Sequence, residues 1–515
     1  MRFRFLAAAI ALAGLLIPFG PAQADDAAAL LAKHRAYAGW QFGDGTFRSW
    51  QISGSSVRAN GTVESRWSTL QTGAIFRSAA KYGQWGYTGN VFWRSDENGF
   101  VHPDYSKAQA YQVSWTALFA EATTELDGTL RANETVDGAT LPVVRVTPPH
   151  GDAIDLAVDP ASGAYRRAVI DPGGAYETTV DILGYADVLP GKKMIVRYRE
   201  DGSANVRELK IEPNVAVAAD EFHPPAATAT WTFANANPFA ISVKPHAIFL
   251  DATVNGVKGR FILDTGADGI FLGRSFAERA HMRTIGRSET YGMTGGESIS
   301  IERADSVAIG GNTLSNVIVS SGDLFAEEDD EYVDGLIGQP LFGGAVVTLN
   351  TGAQTMSIAD PASATVSDSA GYKAVVDLNS GQPVVPVTID GRVDANALLD
   401  MGNGGTVIMS ENLVTKHSIP IMAREDSASF DDAGARAEYA QSHLILRGVS
   451  GAEEEVRCST VSSIALGPIV YQNTFACVSK SMDGDNVVMG YGFMKSFDYV
   501  FDYPSGVMYL KPHQQ

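Results

Sequence analysis

A pattern that occurs twice in one chain constrains its fold more than any single motif, because both copies must find the same structure. Here the pattern is an apolar run that ends in an aspartate, a turn residue and a glycine. It appears as Phe261-Ile262-Leu263-Asp264-Thr265-Gly266-Ala267 and again as Ala397-Leu398-Leu399-Asp400-Met401-Gly402-Asn403. The apolar run reads as a buried strand, and the glycine marks a tight turn at its end. Each copy predicts a carboxylate held at the end of a strand with little water around it.

The copies extend in both directions. Ile248 to Gly256 leads into the first acid, and Val384 to Gly391 leads into the second; each predicts a strand, a turn and a second strand. Ile270-Phe271-Leu272 and Val407-Ile408-Met409 follow, each with a helix-like piece behind it. Further on, Leu336-Ile337-Gly338 matches Val488-Met489-Gly490, and the closing runs Val346–Asn350 and Tyr499–Asp502 also correspond.

Over about residues 240–515 this succession resembles the retropepsin-like and pepsin-like aspartic peptidases, in the single-chain form with two fused lobes. The resemblance implies a catalytic dyad of Asp264 and Asp400. Two carboxyls in contact cannot both ionise cheaply, so they share a proton and divide the roles of base and acid. Thr265, Gly266 and Ala267 would support the first active turn, and Met401, Gly402 and Asn403 the second, with the glycines permitting close approach. The family carries Thr or Ser after each aspartate, and those hydroxyls brace the two turns against each other. Met401 departs from that pattern and leaves Thr265 as the one hydroxyl of the pair. Tyr291-Gly292-Met293-Thr294, which begins 27 residues after Asp264, falls where the family has its substrate-covering flap. Phe430 to Gly434 is the corresponding expectation in the second half.

The sequence before the repeat reads differently. Arg2 and Arg4, an apolar run from Phe5 to Phe19, and Ala22-Gln23-Ala24 predict a signal peptide over residues 1–24, and with it export to the periplasm or beyond the cell. Residues 25–225 predict one helix and then many short strands, an α+β domain with a curved antiparallel sheet. That layout loosely resembles the half-barrel of periplasmic lipoprotein carriers. Trp40, Trp50, Trp67, Trp85, Trp93 and Trp115 crowd into it, as core or as the lining of an apolar cavity. Residues 226–237 read as a linker, 238–362 as the first lobe and 363–515 as the second. The fold class expected is mainly β: a bilobal aspartic peptidase fold behind that N-terminal domain.

Composition decides between partners. The net charge of −20 argues against nucleic acid and anionic membrane surfaces, and no later segment is long and apolar enough to span a bilayer. Cys458 and Cys477 are the only cysteines and lie symmetrically about Gly467-Pro468, so a hairpin turning there places them opposite each other, as a disulfide or as two buried thiols. The histidines are scattered without metal-ligand spacing, and neither a metal nor another cofactor is expected. The function expected is an exported, monomeric endopeptidase acting on peptide or protein substrates. The alternatives are an inactive peptidase-like protein that still binds peptide, and a carrier of apolar ligands through the N-terminal domain.

Overall fold

The computed structural model describes residues 26–513, apart from 58–60, 62, 74, 81–82, 90, 105–107, 175–176, 219, 293–294, 324–326, 329–330, 367–369, 379–380, 421–442, 448–452, 483 and 485. The expected signal peptide and the expected second flap, 430–434, lie outside the described residues. The chain is mainly β with curved antiparallel sheets, and it divides into two compact units. One unit takes the chain through Thr46 and then Val113–Val206; the other takes Phe47–Gln112 and Arg207 onward.

In the first unit the helix Ala27–Ala38 starts on the carboxyl of Asp26, which accepts the Ala29 N–H at 2.7 Å, and stops at Gly39 with φ 79°. Its buried face is Leu30, Leu31, His34 and Ala38, the spacing of one helical stripe. It packs on an antiparallel meander that includes Ala139–Val146 and Lys192–Glu200. His34 is a polar residue on that apolar face, and its partners account for it. Its Nε2 lies 2.7 Å from Glu121 Oε2, its Nδ1 lies 2.8 Å from the Gly163 carbonyl, and its ring stacks on Tyr165.

The second unit contains the repeat, and the two copies are connected alike. In the first copy, Ile248–Val254 and Val257–Leu263 form a hairpin, and the latter runs parallel to Gly335–Ile337. That short strand is antiparallel to Ile270–Gly273, which runs parallel to the end of Asn312–Gly322. In the second copy Val384–Ile389 and Val393–Asp400 form the hairpin, and Asn486–Gly490, Val407–Ser410 and Ile469–Ser479 repeat the same three relations. Parallel strands inside a sheet are covered on both faces, which explains why Phe261–Leu263 and Gly335–Ile337 are buried at every position instead of alternating.

A six-stranded sheet joins the copies. Val346–Asn350 of the first pairs antiparallel with Phe497–Asp502 of the second, flanked by Thr355–Ala359 and Val507–Pro512. Phe497–Asp502 alternates: Phe497, Tyr499 and Phe501 turn inward, each ring in contact with the next, and Phe501 meets Phe342 and Tyr503. In the hairpin Glu453–Leu466 with Ile469–Ser479, Cys458 stands directly opposite Cys477, and the two form a disulfide.

The segment Phe47–Gln112 belongs to this unit. It supplies a meander of strands that ends with Phe92–Ser95 and Val101–Pro103. Three of the six clustered tryptophans, Trp40, Trp50 and Trp93, are buried core residues, the first of them in the other unit.

Candidate functional site

Asp264 and Asp400 close their strands and meet across the junction of the two copies. Each strand enters its turn beside its parallel neighbour, Leu263 next to Ile337 and Asp400 next to Gly490. The Asp264 N–H donates to the Ile337 carbonyl at 3.0 Å, which ties the acid to the sheet. The turns then cross. A methyl group added at Gly266 would overlap the Asp400 carboxyl, and one at Gly402 would overlap that of Asp264. Each glycine is thus the floor beneath the other copy's acid, a reciprocal packing that any side chain would destroy.

The two carboxyls hydrogen-bond each other. Asp264 is 8% exposed and Asp400 is partly exposed. Burial pushes the Asp264 carboxyl well above the ordinary carboxylate range, and the Asp400 charge pushes it further. Burial raises Asp400 too, but its Oδ1 accepts the N–H groups of Gly402 at 3.0 Å and Asn403 at 3.1 Å, which favour its charged form. Both carboxyls are therefore pushed upward, and they titrate as one pair that shares a proton.

Thr265 carries the brace between the turns. It is 1% exposed; its Oγ1 donates to the Leu399 carbonyl at 2.6 Å and accepts the Met401 N–H at 2.9 Å. Met401 sends its side chain into the core at 0% exposure, so its backbone takes part in the brace and its side chain does not. Ala267 anchors the far end of the first turn, its carbonyl accepting the Gln339 N–H at 3.0 Å. Asn403 supports Asp400 through its backbone N–H, while its side-chain Oδ1 accepts the Gly405 N–H at 2.9 Å. The flap expectation falls on a real hairpin, Arg283–Gly292 with Gly295–Ile309, in which Tyr291 faces Gly296. Met293 and Thr294 at its tip lie outside the described residues.

Sequence reading missed two contributors. Gln382 reaches from the second copy to donate its side-chain amide to the Gly266 carbonyl. The loop Asp96–Phe100 brings Glu97 to the end of the first turn, beside Asp268 and Gly269. The only local signal at the loop is a turn composition, Asp-Glu-Asn-Gly, which says nothing about where the turn docks. Among the described residues no group of His, Cys, Asp and Glu is arranged to hold a metal ion.

Comparison with known proteins bears on the first copy. Residues 250–341 match a family model described as aspartyl protease, a span that includes Asp264, its turn and the hairpin of Arg283–Gly292 with Gly295–Ile309. No curated protein matches the chain. Among solved structures it is similar to a DUF1329 family protein from Desulfovibrio piger, at 13% identity over 38% of this chain and 95% of that one; the TM-score of 0.27 is too low to support any argument.

Proposed function

We propose that this chain is an exported aspartic endopeptidase, in which a water between Asp264 and Asp400 hydrolyses the peptide bond. The observation that carries the reading is the reciprocal packing of Gly266 beneath Asp400 and Gly402 beneath Asp264, with Thr265 bridging the two turns. A pair of structural aspartates would gain stability by turning apart; here the backbone is shaped to force two carboxyls into contact at a cost in desolvation and repulsion. The match of residues 250–341 to the aspartyl protease model supports the same chemistry.

The roles follow from the asymmetry of the pair. Asp400, the more exposed of the two, takes a proton from water as the water oxygen bonds to the substrate carbonyl carbon. Asp264 gives its proton to the carbonyl oxygen in the same step. In the second step Asp400 passes its proton to the leaving nitrogen, the C–N bond breaks, and Asp264 recovers a proton from the collapsing hydroxyl. No covalent enzyme intermediate is formed. The hairpin Arg283–Ile309 supplies the cover that excludes bulk water. Export is supported by the Arg-led apolar N-terminus and is compatible with the disulfide.

The test is a peptide-library digest read by mass spectrometry from acid to neutral pH, with and without pepstatin, a transition-state mimic of this chemistry. The proposal predicts cleavage that is strongest in acid and blocked by the inhibitor. Tight inhibitor binding without any cleavage would make the protein an inactive peptide binder, and neither binding nor cleavage would refute the site.

A further inference from the structure

The loop between the strands Phe92–Ser95 and Val101–Pro103 comes from far outside the repeat, yet it is built into the first active turn. Asp96 folds it: one carboxyl oxygen accepts the N–H groups of Asn98 at 2.9 Å and Phe100 at 2.8 Å. Asn98, at 0% exposure, then pins it. Its carbonyl accepts the N–H groups of Thr228 and Ala229, and its side-chain oxygen accepts the Ile318 N–H at 2.7 Å. Phe100 lies on Gly343 and Gly344, where a methyl group added at Gly344 would collide with the ring and one at Gly343 would collide with the Gln339 amide. Those glycines end the short helix Pro340–Gly343, whose leading residue, Gln339, is 2% exposed. Gln339 faces both ways: its side-chain amide lies near enough to Asp96 to favour that carboxyl's charged form, and its backbone N–H holds the Ala267 carbonyl. The neighbouring Gly338 N–H holds the Gly269 carbonyl at 3.1 Å.

We propose that the loop Asp96–Phe100 is a brace for the first active turn, with Asp96 as a positioning residue and Glu97 as the group whose charge loosens the brace. The inference rests on the reading of Asp264 and Asp400 as a working dyad. It makes the segment Phe47–Gln112 a working part of the active unit and not a removable pro-segment.

The charges around Glu97 give the brace its dependence on pH. The acids facing Glu97 are Asp268 on the turn and Asp96 on its own loop. Behind the loop, Arg94 is engaged by Asp104 and Asp377, and His102 is buried near Arg94 and Asp104, burial holding its imidazole neutral to about pH 4. Burial and the two neighbouring acids push Glu97 up to about 7, and burial pushes Asp96 up to about 6. The sign follows. A carboxyl held above its ordinary value binds its proton more tightly folded than unfolded, so rising pH through that window weakens the folded arrangement. Below it Glu97 and Asp96 are neutral; above it three carboxylates crowd one end of the active turn and repel.

The experiment uses the full mature chain and three variants, Asp96→Ala, Asp96→Asn and Glu97→Gln. Two readouts are taken: kcat and KM across pH, and hydrogen exchange at the Gly338 and Gln339 amides. Asp96→Ala should lower kcat by up to about 100-fold, with KM little changed, since a displaced turn misaligns the dyad. It should also lose protection at those two amides, and Asp96→Asn, which keeps the accepting oxygen, should recover most of both. Glu97→Gln should move the alkaline limb of the pH profile upward. A merely structural role would lower the melting temperature without moving that limb. Unchanged exchange in Asp96→Ala, or an unmoved limb in Glu97→Gln, would overturn the proposal. If Asp96→Ala does not fold, the Glu97→Gln profile and the Asp96→Asn exchange decide. If the parent chain cleaves nothing, the functional reading fails, and exchange still reports whether the brace exists.

Discussion

Thr265 does with one hydroxyl what the resemblance expects from two. It donates to Leu399 and accepts from Met401, so removing it leaves a buried carbonyl and a buried N–H unpaired. Thr265→Ala should cost about 1–3 kcal/mol of stability and lower kcat/KM by about 100-fold, measured by denaturant unfolding and peptide kinetics. Met401 is the opposite case, because its side chain fills core space. Met401→Thr should cost about 2 kcal/mol of stability through lost packing while kcat/KM is kept or raised, since a hydroxyl there can return the brace. Gly266 and Gly402 tolerate nothing larger than hydrogen, for reasons of space. Gly266→Ala should abolish turnover in a folded protein, read by circular dichroism beside kinetics. The dyad also sets a pH trend. Asp264 binds its proton more tightly folded than unfolded, so ionising it opposes folding. The wild-type protein should lose stability relative to Asp264→Asn as pH rises from acid, a comparison that melting curves at several pH values can make.

At the level of elements, the apolar run before Asp264 was legible because a strand covered on both faces has to be apolar throughout, and the run before Asp400 because its apolar residues also continue to the turn. The same rule made Leu336-Ile337 and Val488-Met489 visible as partners in kind, and the structure sets them beside the acid strands. The cysteine spacing pointed to a hairpin, and Cys458 and Cys477 stand opposite each other in it. Their bond closes a hairpin across a sequence separation of 19. Reducing it, or replacing both residues by Ala, should cost about 3 kcal/mol, with the denatured, unreduced protein showing no free thiol. What could not be read were contacts between elements far apart in sequence. Gln382 sits before a strand with nothing local to mark it, and its bond to Gly266 exists only because the two copies cross. Glu97 lies in an ordinary turn whose docking place is set by Asn98 and Phe100, about 130 to 240 residues from what they touch.

At the scale of the whole molecule, the second unit is organised by its repeat. Two similarly wired sheets each present one acid, and a shared sheet pairs Val346–Asn350 with Phe497–Asp502. Duplication writes the same local pattern twice, which is why the two acid-bearing turns are visible in the sequence. The repeat does not reveal that Phe47–Gln112 packs into the same unit, because those strands share no pattern with it. The proposed chemistry requires Asp264 and Asp400 to act as one device. The direct measurement is kcat/KM on one cleavable peptide for the wild-type protein, Asp264→Asn and Asp400→Asn, each verified as folded. Both variants should lose essentially all turnover, by similar amounts, because half of a shared-proton pair cannot serve as both acid and base. Substantial activity in either folded variant would contradict the dyad.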